Sequence, residues 1–265
     1  MGVATKNRFF APVLASMLIA GYAGLADGMP AGQVGPSAPP GDAQGEQAGF
    51  AQHFSMEALD KDVQNAILRA GLAPVPFNRI IVRTRDTYTA ADQPNPAVYQ
   101  EQLTLENAGH GLVRRIASVQ DSNGTVKTTR FDLDYRGYFP FLTQSVPAEA
   151  DAAPPVVEAR KLLRFDTSTD GHMNFTYLYG LSGGATFGDP GQVVCDSGKR
   201  YSASTLNAAI QGPARELDCQ AIDTNGMVTS KMKLAYLEKY AVALVLRLQN
   251  PDGALDSSIV DFKVE

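Results

Sequence analysis

The run TRFDLDYRGYFPFL, residues 129–142, decides how the rest of the chain is read. In an extended strand successive side chains point to opposite faces. Phe131, Leu133 and Tyr135 therefore share one side, while Arg130, Asp132, Asp134 and Arg136 share the other. A strand that is apolar on one side belongs to an antiparallel sheet lying on a core. The mixed signs on the other side predict a ladder of solvent-exposed ion pairs. Asp132 and Asp134 also have the residue types of a glycosidase carboxylate pair, but with arginines flanking them the surface ladder is the simpler reading. Beyond Arg136 the alternation fails, because Gly137 and Pro140 interrupt strand regularity. Tyr135, Tyr138, Phe139 and Phe141 then cannot all face one core. Either they plug the interior, or with Arg136 they form a surface for a ligand or partner, where aromatics beside an arginine are typical anchors. In the second case at least one of them is exposed or lines a groove.

Outward from this run the chain is a succession of hairpins. Asn123-Gly124, Asp170-Gly171, Asn225-Gly226 and Asp252-Gly253 each separate two strand-like segments, and this dipeptide type accepts the positive φ that tight hairpins need. A looser connection, residues 92–96, joins segments 78–90 and 97–106. In 173–179 Met173, Phe175, Tyr177 and Tyr179 line one side, whereas 241–248 is apolar on both faces and reads as a doubly covered strand. The fold class is mainly β: a large curved antiparallel sheet, half-barrel or sandwich, of about ten strands. An amphipathic helix precedes it, starting at Ser55, with Leu59, Val63, Ala66, Ile67 and Ala70 at helical spacing and Gly71 past its end. A surface crossing at 146–155 connects two halves.

Cys195 and Cys219 are the chain's two cysteines. Bonded in an oxidising compartment they close a 25-residue loop, worth about 3.5 kcal/mol in the chain-entropy model. Inside it, Ser204-Thr205 can cap a short helix over Leu206–Ile210 before Gly212-Pro213 stops it. Neither a Cys-x-x-Cys spacing nor a neighbouring histidine points to redox or zinc chemistry.

The first 26 residues carry Lys6 and Arg8, no acid, and an apolar run from Ala11 to Ala26. This is the pattern of a signal peptide, with small-x-small cleavage sites ending at Ala26 or Ala23. The run is short and rich in glycine and alanine, so no stable membrane span is expected after cleavage. The remaining chain holds 21 basic and 28 acidic residues, a net charge of −7, which makes nucleic acid and anionic lipid surfaces poor partners. Residues 27–49 are rich in Gly, Pro, Ala and Gln and read as a disordered linker, and 50–265 as a single domain.

Other chemical motifs are weak. Gly180-Leu181-Ser182-Gly183-Gly184 matches the Gly-x-Ser-x-Gly elbow of serine hydrolases, but no helix pattern follows and His53, His110 and His172 all precede the serine. Residues 166–171, DTSTDG, copy half of a calcium loop, yet Tyr177 stands where its glutamate belongs, so turn chemistry is the better reading. No metal, cofactor or nucleic-acid site is expected.

No motif assigns the chain to a family. In outline it is similar to periplasmic lipoprotein carriers, whose half-barrels hold acyl chains. The expectation is a non-catalytic periplasmic protein that binds a hydrophobic or amphipathic ligand, a lipid or an envelope protein, through Tyr135, Arg136, Tyr138, Phe139 and Phe141. The alternative is a hydrolase using Ser182 or the Asp132/Asp134 pair. N-terminal sequencing of exported protein should start near Asp27 or Gly24, and mature protein still carrying Met1 would remove the case for export.

Overall fold

The computed structural model describes residues 53–93, 95–150, 153–184 and 188–265. The expected signal peptide, 1–26, and the expected linker, 27–49, lie outside the described residues. Among the described residues twelve antiparallel strands follow one another: β1 (Arg79–Ala90), β2 (Ala97–Gly109), β3 (Leu112–Gln120), β4 (Val126–Tyr135), β5 (Phe139–Pro147), β6 (Val157–Phe165), β7 (His172–Leu181), β8 (Asp189–Ser202), β9 (Pro213–Ile222), β10 (Val228–Leu237), β11 (Val242–Asn250) and β12 (Gly253–Val264). Each pairs with its chain neighbours, and β12 returns to β1, so the sheet closes into a barrel. The closing seam runs from Ile80–Val264 to Ala90–Gly253, nearly the whole of both strands.

Closure corrects the expected half-barrel or sandwich of about ten strands. An open sheet leaves two rows of unpaired N–H and C=O groups, and pairing β1 with β12 removes both edges. The extra strands arise at His110-Gly111 and Arg136-Gly137, where all four residues have positive φ (52°, 74°, 50° and 80°). These turns take the conformation that Asn-Gly normally supplies, without that dipeptide's signature. The four Asn-Gly and Asp-Gly turns connect strands as the sequence predicts, and β1 is followed by β2 as expected of the segments 78–90 and 97–106.

Two stretches of the ring are thin. β5 and β6 pair through Leu142–Glu158 and Thr143–Val157, and β11 and β12 pair from Arg247–Asp256 to Asn250–Gly253. Beyond those pairs, the β4–β5 and β10–β11 hairpins roll inward and meet. The Arg136 carbonyl accepts the Ala243 amide at 2.8 Å, and Arg136 Nη1 donates to the Tyr236 hydroxyl at 2.8 Å. A Cβ on Gly137 would stand 2.6 Å from the Ala243 carbonyl oxygen, so the approach requires glycine.

Rolling gives each hairpin a second covered side and divides the core in two. In one cluster Leu133, Tyr135, Phe139 and Phe141 of the first hairpin meet Phe175 and Tyr177 of β7, together with Phe54, Leu59, Val63 and Ile67 from the N-terminal segment. In the other, Ala235, Leu237, Val242 and Leu244 meet Ile80, Val82, Leu103, Leu105 and Phe262. The double covering read from 241–248 is therefore present: Val242 and Leu244 belong to one cluster, Ala243 and Leu248 to the other.

The N-terminal helix is shorter than its apolar spacing suggested. A single 3-10 turn, Met56–Ala58, precedes α1 (Lys61–Ala70). Asp60 starts α1 afresh by accepting the Asp62 amide at 2.8 Å, and Gly71 ends it in the left-handed conformation. Val63 and Ile67 form its buried stripe.

Cys195 and Cys219 are bonded, with an S–S distance of 2.04 Å, and are register partners on β8 and β9. The helix expected inside their loop is one 3-10 turn, Ala203–Thr205. The Ser204 hydroxyl pairs with that of Ser202 and Thr205 Oγ1 donates to the Ser202 carbonyl, so neither is spent on capping a following helix. Cys219→Ala should lower the melting temperature by several degrees, the equivalent of about 2–4 kcal/mol. Thiol labelling of native, unreduced protein should find no reactive cysteine; two labelled thiols would contradict the bridge.

Candidate functional site: a charged belt inside the barrel

The register of β1 to β4 sets a row of charged residues on the inner wall. Thr84 lies opposite Glu101, Asp86 opposite Tyr99, Arg115 opposite Asp132 and Ala117 opposite Arg130. On these strands the row sits where the two apolar clusters meet, with Ile80, Val82, Leu103 and Leu105 in one and Tyr88, Tyr99 and Val119 in the other. Asp132 is 0% and Asp134 1% exposed. The expected solvent-side ladder is thus overturned: the charged side of β4 faces the lumen, and its apolar side is covered by the rolled hairpin's neighbours. Arg136 leaves the row altogether at the turn.

Buried charges are tolerated only when paired and hydrogen-bonded, and part of the belt meets that condition. Arg130 Nε donates to both Asp132 oxygens, at 2.9 and 2.8 Å, and Arg115 Nε lies 3.7 Å from Asp132 Oδ2. Four carboxyl groups (Asp86, Glu101, Asp132, Asp134) nevertheless face two guanidiniums. Burial, and next the charge of Asp132, pushes the Asp134 carboxyl up to about 8 against the opposing pull of Arg115 and Arg130. Burial and then the charge of Asp86 push Glu101 up to about 7, and the two share a hydrogen bond. With protons on Asp134 and Glu101, the remaining two carboxylates balance the two arginines and the belt is neutral.

The belt is not fully satisfied within the protein. Asp134 Oδ2, Arg130 Nη1, Thr84 Oγ1 and Thr143 Oγ1, with Ser230 Oγ on β10, are buried and have no hydrogen-bond partner among the described residues. Each such group carries an unrecovered desolvation cost of about 1–3 kcal/mol. Unsatisfied donors and acceptors on one inner wall are where a polar ligand group would be held.

The aromatic run occupies the core. Tyr135, Tyr138, Phe139 and Phe141 are all buried and Arg136 is half-buried, so the exposed aromatic of the binding-surface reading is not found. Phe139 stacks on Phe175 at 4.9 Å and meets Phe141 and Tyr177 edge-on at 5.1 and 5.0 Å. The Tyr135 hydroxyl donates to the Thr167 carbonyl at 2.9 Å, and the Arg136 guanidinium lies 5.2 Å from the centre of the Tyr135 ring. These five residues build the plug that lets the hairpin enter the lumen.

Ser182 sits in an exposed turn after β7, where its amide donates to the Val156 carbonyl; among the described residues its hydroxyl bonds no base. His172 pairs with Asp196 at 2.8 Å. In the 166–171 turn Asp166 binds Arg164 and the Asn174 amide, while Ser168 accepts the Asp170 amide. Among the described residues no cluster of side chains could hold a metal ion.

Asp86, Glu101 and Arg115 went unnoticed in the sequence. Their signal was present: each is a charged residue at the inward parity of a strand whose other inward positions are mostly apolar, such as Ile80, Val82 and Tyr88 around Asp86.

No known protein family matches the chain, and no curated relative does. Among solved structures, a β-barrel-like protein of the DUF1849 domain of unknown function from Brucella abortus superposes with a TM-score of 0.42 and 10% identity, covering 72% of this chain and 99% of the other. A domain provisionally described as an outer membrane lipoprotein-sorting protein, from Vibrio parahaemolyticus, gives 0.38 at 12% identity, with 82% and 91% covered. A DUF1329 family protein from Desulfovibrio piger gives 0.36 at 7%, with 83% and 92% covered. At these scores none carries an argument about function.

The belt makes stability pH-dependent in a defined direction. Asp134 and Glu101 keep their protons in the folded barrel at pH values where the unfolded chain has lost them, so stability falls as pH rises from about 4 to about 8, by at most about 1.4 kcal/mol per unit for each group. Glu101 is half-buried and contributes less. The carboxyls of Asp121, Asp166 and Asp223 are held low by hydrogen bonds and act on the acid side of that window. The melting temperature should therefore drop between pH 5.5 and 8.5, and Asp134→Asn should flatten the slope. Identical slopes for both proteins would remove Asp134 from the account.

Proposed function

We propose that this is an exported, non-catalytic binding protein of the cell envelope whose barrel interior receives a hydrophobic or amphipathic ligand. The supporting observation is the set of buried, unpartnered polar atoms on the belt, beside an inner wall rich in tyrosine. Tyr88, Tyr99, Tyr177 and Tyr179 offer broad apolar faces for a chain, and Asp134, Arg130, Thr84 and Thr143 offer hydrogen bonds to a polar head. Small-molecule sites combine these features, a mainly apolar lining and a few convergent polar groups. The thin seams, β5–β6 and β11–β12, are where the wall has least to break when it admits a ligand.

The hydrolase alternative has one observation in its favour, the contrast between a proton-holding Asp134 and its neighbour Asp132, which is how carboxylate pairs divide acid and base roles. Against it, Asp132 is engaged by both Arg130 and Arg115, so it is committed to neutralising charge.

The test is native mass spectrometry of protein released from the periplasm without detergent, followed by titration with a neutral hydrophobic fluorophore. The expected result is a solvent-extractable adduct, and probe binding that Tyr177→Ala weakens by about 1–3 kcal/mol. Protein at its bare mass that also fails to bind the probe would overturn the reading.

A further inference from the structure

The belt's composition carries a statement about the head group. It rests on the proposed interior site and asks which chemistry that site selects. Every charged side chain on the inner wall of β1 to β4 belongs to one set: Asp86 from β1, Glu101 from β2, Arg115 from β3, and Arg130, Asp132 and Asp134 from β4. The flanking inner positions on β5 and β12 are Thr143 and Ser257, and those of β10 are Ser230 and Met232. The nearby cations Lys233 and Arg247 are exposed and paired with Glu216 and Asp256. No lysine or histidine joins the set. Acids therefore outnumber bases four to two in a buried space, and one acid oxygen, Asp134 Oδ2, has no partner while its residue is 1% exposed.

We infer that the barrel selects amphiphiles with a protonated amine head, which takes the place of a carboxyl proton in the belt. An alkylammonium group brings three N–H donors and no acceptor. Asp134 Oδ2 is an unpartnered acceptor for one of them, and Thr143, opposite Asp132 on the adjoining strand, brings an unpartnered hydroxyl to the same part of the wall. The charge count closes: R–NH3⁺ enters, Asp134 gives up its proton to solvent, and the belt gains one anion with its cation. An anionic head has no such exchange: Arg130 Nη1 is one free donor, but the charge of that guanidinium is already met by both oxygens of Asp132 at Nε, and an added negative charge would face the surplus of acids. A neutral hydroxyl head can bind but displaces no proton.

The experiment titrates the full exported chain with dodecylamine, dodecanol and dodecanoate, each below its micelle concentration, by displacement of a neutral fluorophore. Calorimetry in two buffers of different ionisation enthalpy accompanies it. Dodecylamine should bind at least about tenfold tighter than dodecanol, equivalent to about 1.4 kcal/mol, with dodecanoate weakest, and should release close to one proton per molecule at pH 7. In Asp134→Asn, and in Glu101→Gln as a second variant checked for folding by its melting temperature, the amine-to-alcohol ratio should fall and proton release should shrink. Equal binding of all three heads, tighter binding of dodecanoate, or an amine preference that survives in Asp134→Asn would overturn the inference while leaving an interior site standing. Failure of every amphiphile to bind would overturn the interior site itself.

Discussion

A twelve-stranded ring of backbone hydrogen bonds removes every sheet edge but encloses more volume than one layer of inward side chains fills, since barrel diameter grows with strand number. The structure meets that constraint by rolling two hairpins into the lumen. Their tips are fixed to each other by the bond between Arg136 and Ala243 and by the contact between Arg136 and Tyr236. The thin seams follow, because a strand that bends inward must leave its neighbour, and the two separate apolar clusters follow because each hairpin acquires a wall on both sides. The aromatic density of the 135–141 run is the filling that this arrangement demands: planar rings at 4.9–5.1 Å occupy the space between the inward hairpin and β7.

The charged belt is the counterpart of that packing. An interior surrounded by apolar clusters tolerates charge only if it is neutralised, and the belt does this partly with arginine and partly with protons. Asp132 takes the first route, held by both nitrogen–oxygen contacts with Arg130. Asp134 takes the second, two residues along the same strand. Replacing such a set with apolar side chains would not weaken a fold of this kind by itself, which is why the unpartnered atoms weigh toward a role in binding more than toward one in stability. The disulfide acts elsewhere, joining β8 to β9 on the opposite wall.

What was legible in the sequence was local. Alternation gave the strands, Asn-Gly and Asp-Gly gave four of the turns, and a lone pair of cysteines gave the bridge. Turns at His110-Gly111 and Arg136-Gly137 were not legible as hairpins because their first residues are not the Asn or Asp that mark a turn of positive φ in a sequence. The helix inside the disulfide loop was overread, since Ser204 and Thr205 find partners within their own turn.

The sequence by itself determined that residues 129–135 form a strand with one apolar and one charged side, because that depends only on the two-residue period of an extended backbone. It could not say which side meets water. That was decided by tertiary structure: closure of β1 on β12 makes one face of the whole sheet an interior, and the roll of β4–β5 covers the other. The same closure turned Asp132 and Asp134 from surface ions into buried ones, set Arg115 beside Asp132 and put Asp86 and Glu101 on the same inner wall. Proximity across a barrel wall depends on register between segments distant in the chain, and no local period encodes it.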